Sequence, residues 1–232
     1  MINRKSWQKM KKILRICIIG VSIMSLFSCF NSRNKEEVFW TWFKKNSSRL
    51  FHFENEQEEI FNELAFQLGK INQDLTFEFG PIQNGKREFI ISAGGIKASF
   101  PAVEKLYSAK PEIAEWEFIK FRPRRDTIHT VQFHEKKIEP KEIRFLLFND
   151  DEKDKIGILL FLNGYNESES TIYYQIAYLF LDHIIGEYDV ETYIGSIEIQ
   201  GFDSKYFNQS IQIDNLAMMF DGEKIKLHST SP

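Results

Sequence analysis

Hydrophobic and polar positions follow two different periods along this chain, and together they predict a mixture of helices and strands. Apolar residues recur at intervals of four, four and three in one segment: Ile60, Leu64, Leu68 and Ile71. Charged residues lie between them, so the spacing predicts an amphipathic helix. The period changes to two in the segment 75–79, LTFEF, which predicts a strand with one buried face.

The aromatic residues that precede this helix allow two interpretations. The segment combines aromatic and basic residues: Trp40, Trp42, Phe43, Lys44 and Lys45. Amphipathic rings are favoured at lipid headgroups, which would place the segment at a membrane surface. Aromatic residues at helical spacing are more commonly part of a protein core. We therefore favour a first helix that packs against the domain, and keep the membrane surface as the alternative.

Two later parts of the chain show the same order of predicted elements: strand, strand, helix, strand. The first part, 74–125, contains a hairpin turn at Asn84-Gly85, a helix that starts near Pro101 and the closing strand EWEFIKF. The second part, 141–200, contains the strands EIRFLLF and KIGILLFL, the largely apolar helix STIYYQIAYLFLDHII and the strand YIGSIEI. This order predicts an α+β fold.

In this fold, two ββαβ repeats form one sheet or two apposed sheets, with helices on a face and a helical segment before them. We predict a single domain over residues 38–232, with 74–125 and 141–200 as its halves. After the second half, Ile211 and Ile213 predict a short edge strand, and the chain is expected to fray at its last residues, HSTSP.

The first 28 residues have a separate pattern that is typical of a signal peptide. Residues 1–15 contain six basic and no acidic residues, and the uncharged run from Ile16 to Phe27 is only 12 residues long. A membrane-spanning helix needs about 20 apolar residues, whereas a short run after a basic head is typical of a secretory signal. We therefore predict that residues 1–28 are removed from the mature protein.

The apolar run ends in the segment 26–29, LFSC, which resembles the lipobox of bacterial lipoproteins. The resemblance implies that the Cys29 thiol receives a diacylglycerol, that the chain is cut before Cys29, and that the new amine is usually acylated. Two or more acyl chains anchor a protein stably, whereas one chain binds reversibly. We predict a lipid-anchored protein of the bacterial cell envelope, with residues 29–37 as a tether, and favour the outer membrane if the host has one.

Removal of the signal would change the charge of the chain. Without the six basic residues of the head, 24 Lys and Arg remain against 33 Asp and Glu, which leaves nine net negative charges. Nucleic acids and anionic lipids are bound through an excess of Lys and Arg, so we expect neither as a partner of the folded domain. Cys17 would leave with the signal and Cys29 would carry the lipid, so we expect no disulfide and no thiolate metal site.

Two longer segments resemble an uncharacterised bacterial protein family: ASFPAVEKLYSAKPEIAEWEFIKFRPRR (98–125) and FLDHIIGEYDVETYIGSIEI (180–199). The resemblance covers most of the mature chain. It implies no activity, cofactor or functional residue, so function has to be argued from the residues themselves.

Three arginines follow the closing strand of the first half: Arg122, Arg124 and Arg125, with Pro123 between them. Guanidinium groups in a loop stiffened by proline would hold a carboxylate or phosphate of a ligand or partner. Alternatively, these arginines face water or pair with acidic residues of the same domain.

An acidic group follows the apolar helix of the second half: Asp182 and His183 at the helix end, then Glu187, Asp189 and Glu191. A histidine beside carboxylates can act as a general base, and carboxylates can bind a hard cation, but no metal site is predicted from the spacing. A helix C-terminus also favours an imidazolium for electrostatic reasons alone. If the two halves pack as repeats, the arginines and the acidic group could instead face each other as an internal ion-pair network.

Three functions remain open, and no cofactor is predicted for any of them. The first is a binding or protein-interaction module with a partner in the cell envelope. The second is an envelope hydrolase that uses Asp182, His183 and Glu187. The third is a structural lipoprotein that assembles with itself. We rank them in this order because the chain has an anchor and a tether, but no G-x-S-x-G elbow, zinc motif or phosphate-binding glycine pattern.

Overall fold

A computed structural model of the chain describes residues 34–152 and 154–230, and within these ranges the fold is α+β. The helices are α1 (Lys35–Lys45), α2 (Ser47–Phe51), α3 (Gln57–Gly69), α4 (Phe100–Ser108), α5 (Ser170–Ile185), α6 (Glu187–Tyr193) and α7 (Leu216–Thr230). The strands are β1 (Thr76–Gln83), β2 (Lys86–Ser92), β3 (Trp116–Lys120), β4 (Val131–Phe133), β5 (Lys136–Ile138), β6 (Ile143–Asp150), β7 (Lys155–Leu162), β8 (Ile194–Gln200) and β9 (Ile211–Gln212). None of these helices combines the length and the apolar character needed to cross a membrane. The predicted signal peptide, residues 1–28, and the predicted lipidation site Cys29 lie outside the described residues.

Each half of the chain forms a ββαβ unit with its own sheet. In the first unit, β1 pairs antiparallel with β2, and β2 pairs parallel with β3 across helix α4. In the second unit, β6 pairs antiparallel with β7, β7 pairs parallel with β8 across α5 and α6, and β9 joins the free edge of β6. The predicted α+β fold with two ββαβ repeats is confirmed, and the repeats form two separate sheets rather than one.

Local sequence explains how the first unit forms. Asn84 and Gly85 connect β1 to β2 with positive φ angles of 51° and 78°, the conformation that a two-residue hairpin turn needs. The parallel pairing of β2 with β3 requires a crossover, which α4 provides. Pro101 lies at the start of α4, where the N–H that proline lacks would have no partner within the helix.

Helices cover each sheet and form a separate hydrophobic core with it. In the first core, α1 contributes Phe39, Trp40 and Phe43, which pack near Phe89 of β2 with ring centroids 4.8 to 6.5 Å apart. The aromatic segment is therefore part of the core, as favoured from the sequence, although Trp42 is only partly buried. The second core lies between β6, β7 and β8 and the helices α5 and α7.

The tether predicted for residues 29–37 extends too far. Helix α1 begins at Lys35, and Glu36 in its first turn is buried and forms an ion pair with Lys105 at 2.9 Å. The last three residues of the predicted tether therefore belong to the folded domain, because tertiary contacts hold the start of the helix. Residues 29–33 of the tether lie outside the described part of the chain.

Three elements differ from the sequence prediction: the β4–β5 hairpin, helix α6 and helix α7. The sequence predicts a turn before β8, where α6 forms, and it predicts fraying only for HSTSP, whose first three residues end α7. Leu216 and Phe220 of α7 are fully buried in the second core, so tertiary packing orders a segment whose own apolar pattern is weak.

Candidate functional site

The two units meet where the loop after β3 lies against the corner between α5 and α6. Two backbone hydrogen bonds join them. The Glu187 N–H donates to the Arg122 carbonyl at 3.0 Å, and the Arg125 N–H donates to the His183 carbonyl at 2.8 Å. All four residues are candidates from the sequence, so the structure brings the arginine loop and part of the acidic group together at one junction.

Glu187 lies at the centre of this junction. Its side chain is fully buried, and both carboxylate oxygens accept hydrogen bonds from backbone N–H groups of the first unit. Oε1 accepts from Ala93 at 2.9 Å and from Gly95 at 3.3 Å, and Oε2 accepts from Arg122 at 2.9 Å. Backbone N–H groups that converge on one point can bind an anion. Here they bind the carboxylate of a side chain of the same protein.

Unusual backbone conformations position these N–H groups. Gly94 and Gly95 have φ angles of 59° and 79°, which residues with a Cβ adopt only at a cost. Gly186 has a φ of 96°, and a Cβ there would lie 3.4 Å from the backbone nitrogen of Arg124. Phe121 has a φ of 61°, an unfavourable conformation for a bulky residue. The backbone is therefore strained at the point where the first unit turns toward the second.

Arg122 and Asp182 form a partly buried ion pair between the units. Arg122 donates from Nη1 to Asp182 Oδ2 at 3.1 Å, and from Nε to Glu78. Burial lowers the pKa of Arg122, but Glu78 and Asp182 more than offset it, so the pKa is raised and Arg122 is charged. Burial raises the pKa of Asp182 to about 7; Arg122 opposes this shift and Glu187 adds to it.

The two residues of the pair differ in their surroundings. Arg122 contacts two carboxylates, whereas Asp182 shares Arg122 with Glu78 and lies near a second carboxylate, that of Glu187. Asp182 Oδ1 is buried and accepts no hydrogen bond from the described residues. The pair therefore holds the units together while leaving one carboxylate oxygen without a donor.

The other two arginines of the loop also pair with carboxylates of the same chain. Arg125 donates to Glu88 through both terminal nitrogens, at 3.1 and 2.5 Å. Arg124 donates to Asp221 of α7 through both terminal nitrogens, at 2.8 and 2.9 Å. All three guanidinium groups are thus engaged within the protein, which is the alternative interpretation that the sequence left open.

His183 and Asp189 have partners elsewhere. The Nε2 of His183 donates to the carbonyl of Thr127 at 2.5 Å, since a carbonyl can only accept. Asp189 accepts a hydrogen bond from Lys224 of α7 at 2.7 Å. Among the described residues, no hydrogen bond joins His183 to a carboxylate of the acidic group. The acidic group is therefore distributed over several structural contacts and is not joined into one acid–base set.

Two cavities flank the Arg122–Asp182 pair, and both residues line both cavities. The first has a volume of about 290 Å³ and is called the His129 cavity, after lining residues that include Glu78, His129 and His183. The second has a volume of about 460 Å³ and is called the Tyr178 cavity, after lining residues that include Phe133, Tyr178, Leu179 and Glu191. Together the two cavities form a cleft between the units, named here the junction cleft.

Three residues of the junction were not candidates from the sequence pattern: Glu78, Glu88 and Tyr178. The period of two in β1 places Glu78 on its polar face, but alternation does not reveal which cation a carboxylate meets. Tyr178 lies on α5, where the apolar pattern is nearly continuous. Such a pattern does not distinguish a core position from one that lines a cavity.

These contacts define a junction whose parts all come from one chain. No protein-family model matches the chain, and no match to it occurs among curated proteins or among solved structures. The resemblances to bacterial lipoproteins and to an uncharacterised family therefore stay predictions from the sequence, and the geometry of the junction cleft carries the functional argument.

Proposed function

We propose that this protein is a lipid-anchored binding module of the bacterial cell envelope, and that its binding site is the junction cleft. The observation that carries the proposal is the cleft itself, which places a partly buried ion pair between two cavities at the boundary of two structural units. Ligand sites occur preferentially at such boundaries, with a few polar groups among apolar ones.

The rim of the cleft supports this proposal. Tyr178 and Leu179 are adjacent on α5 and line the Tyr178 cavity, and they are 41% and 38% exposed. Phe133 of the β4–β5 hairpin lines the same cavity and is partly buried. Large apolar side chains exposed beside a concave surface are typical of a binding site.

The lipobox at residues 26–29 supports the location. Lys35, where α1 begins, lies only six positions after Cys29. An extended chain spans at most about 3.6 Å per residue, so the domain would lie within about 20 Å of the lipid. A domain held this close to a membrane would meet envelope proteins and small envelope molecules. Its excess of acidic residues makes nucleic acid an unfavourable partner.

The hydrolase alternative has less support from the geometry. A general base needs a free lone pair within reach of the substrate. Glu187 is fully buried, and its oxygens accept three backbone hydrogen bonds, so its release would break the junction. A binding function requires no such release.

Crosslinking in intact cells tests the proposal with the full-length protein. The Tyr178→Ala, Leu179→Ala double variant removes two partly exposed side chains of the cleft. Phe66→Ala is the matched control, because Phe66 is 66% exposed on α3 and lines neither cavity. We expect one stoichiometric partner with the wild type and with Phe66→Ala, and its loss with the double variant.

Capture of the same partners by all three proteins would overturn a binding role for the cleft, and so would capture of this protein alone together with no small-molecule binding by the purified protein. The anchor is tested separately by Cys29→Ser. We expect this variant to lose incorporation of labelled acyl chains and to leave the membrane fraction. Unchanged acylation would contradict the lipobox assignment.

A further inference from the structure

Asp182 presents an incomplete set of hydrogen bonds between the two cavities. Its side chain is only 8% exposed, and Oδ2 accepts a hydrogen bond from Arg122 at 3.1 Å. Oδ1 accepts none from the described residues. A buried carboxylate oxygen without a donor is unfavourable, so a cation that pairs with the Asp182 carboxylate from a cavity would offset part of its cost.

Two carboxylates and one guanidinium line the Tyr178 cavity. Asp182 and Glu191 line the cavity, and Glu187 is buried close enough to raise the pKa of both. Arg122, the cation that lines the cavity, is shared with Glu78 in the His129 cavity. A positively charged ligand would therefore reduce the repulsion between the carboxylates.

The raised pKa values of Glu191 and Tyr178 agree with carboxylates lying close together here. Burial and then Glu187 raise the pKa of Glu191, against Lys155 and Lys97. Burial and then Glu191 and Asp182 raise the pKa of Tyr178. Both groups therefore lie in surroundings that disfavour additional negative charge.

The end of α5 adds to this negative potential. Asp182 lies in the last turn of α5, which runs from Ser170 to Ile185. The C-terminal end of a helix carries a partial negative charge and favours a cation nearby. This contribution comes from the backbone and does not depend on side-chain ionisation.

Aromatic rings distinguish the kind of cation that fits. Phe133 and Tyr178 line the cavity beside Asp182. The faces of aromatic rings attract organic cations, whose carbon chains also pack against them. A hard metal ion would instead need about six oxygen ligands. Within the described ranges, no group of three or more His, Cys, Asp or Glu side chains is placed to hold a metal ion.

We propose that the Tyr178 cavity binds an alkylammonium group, which pairs with the carboxylate of Asp182 and packs its methylene chain against Tyr178 and Phe133. This inference rests on the proposed function, since it names the chemical group that the junction cleft takes. The group belongs either to a free alkyl amine or to a lysine side chain of an envelope protein.

Calorimetric titration of the full chain in detergent at pH 8 tests the inference with matched probes. Cadaverine has two ammonium groups on a five-carbon chain, and 1,5-pentanediol has the same chain without charge. Nα-acetyl-lysine amide represents a lysine side chain, and CaCl₂ represents a hard metal ion. We expect saturable binding of cadaverine, of the lysine derivative or of both, and none of the diol or of Ca²⁺. The ligand with higher affinity indicates the source of the group.

Asp182→Asn removes the charge while retaining an oxygen that can accept from Arg122, so the junction is kept. We expect the affinity of this variant for the amines to be lower by at least about tenfold, because hydrogen bonds to charged groups are stronger than those between neutral groups. Glu198→Gln is the matched control, because Glu198 is exposed on β8 of the same unit. It should bind as the wild type does.

Equal binding of diol and amine, binding of Ca²⁺ alone, or unchanged affinity in Asp182→Asn would overturn the inference. The crosslinking experiment distinguishes a failure of this inference from a failure of the proposed function. If crosslinking captures a partner that depends on Tyr178 and Leu179 but no amine binds, the inference is wrong and the binding role stands. If neither occurs, both are wrong.

Discussion

Arg122 and Glu187 bond to each other twice across the boundary between the two units. The Glu187 N–H donates to the Arg122 carbonyl at 3.0 Å, and the Arg122 N–H donates to Glu187 Oε2 at 2.9 Å. This relationship links the end of the first unit to the start of α6. Because Glu187 is fully buried, water cannot replace the bonds that its side chain makes.

Replacement of Glu187 should therefore destabilise the whole domain. Glu187→Ala leaves the N–H groups of Ala93, Gly95 and Arg122 without their acceptor. An unsatisfied buried donor costs about 1–3 kcal/mol. We expect the free energy of unfolding in urea to fall by about 3 kcal/mol or more.

Glu187→Gln provides an intermediate case, because one of its two acceptors becomes a donor. We expect a loss smaller than that of Glu187→Ala. Glu198→Gln, at an exposed position, should change the free energy by less than about 0.5 kcal/mol. Equal stability of Glu187→Ala and Glu198→Gln would contradict the role of Glu187 at the junction.

Two arginines of the same loop should differ in their effect on stability. Both make two-nitrogen contacts with a carboxylate, but Glu88 is 8% exposed whereas Asp221 is 50% exposed. Arg125→Ala leaves a buried carboxylate unpaired, and we expect a loss of about 3 kcal/mol. Arg124→Ala breaks a surface pair, and we expect a loss of less than about 1 kcal/mol. Thermal or urea unfolding of the two variants measures the difference, and equal losses would show that burial of the partner does not matter here.

Two glycines should respond oppositely to replacement by alanine. Gly186 has a φ of 96°, and a Cβ there would lie 3.4 Å from the Arg124 nitrogen, so Gly186→Ala should be destabilising. Gly222 lies within α7, and a Cβ added there would meet no atom of another element within 4 Å, so Gly222→Ala should raise stability by about 0.5–1 kcal/mol. Differential scanning calorimetry measures the sign of both changes in stability. A stabilising Gly186→Ala would contradict the need for glycine at the corner between α5 and α6.

Asp182 should make stability fall as pH rises. Its pKa is about 7 in the folded protein against an ordinary value of 3.8, so the folded state binds more protons than the unfolded state between these pH values. The contribution of Asp182 to stability is therefore most favourable below pH 3.8. Above pH 7 the ionisation of Asp182 lowers the free energy of unfolding by its full amount, about 4 kcal/mol. Asp182→Asn should be more stable than the wild type at pH 8, with a smaller difference at pH 5.

Asp221→Asn is the control with the opposite sign. Arg124 lowers the pKa of Asp221, so its ionised form stabilises the fold at neutral pH, and this contribution is lost as pH falls through the lowered pKa. We expect Asp221→Asn to be slightly less stable than the wild type at neutral pH. A pH-independent difference between Asp182→Asn and the wild type in urea unfolding would contradict the assignment of Asp182.

Much of the fold follows from the sequence, because helices and strands depend on residues close together in the chain. The spacing of Ile60, Leu64 and Leu68 predicts a helix, and all three side chains are fully buried on it. Asn84-Gly85 predicts the hairpin turn that forms between β1 and β2. The repeated order of elements predicts the two ββαβ units.

The candidate site was predictable only in part. Asp182 and Arg122 are both candidates from the sequence, but their contact joins residues 60 positions apart. The pairing of Arg124 with Asp221 joins residues 97 positions apart, and Asp221 lies on a helix that the sequence does not predict. A charge pattern shows that partners exist and does not show which ones meet.

The sequence by itself determined the α+β class, the repeat of elements and the prediction of a lipid anchor, because each depends on periodicity or on a short motif. Only the tertiary structure decided that Glu187 is a buried structural acceptor, that the three arginines are paired within the chain, and that Asp182 and Tyr178 line one cavity. These features arise where the two units pack against each other. Burial, hydrogen bonding and ionisation at such a boundary depend on atoms that are close in space and far apart in sequence.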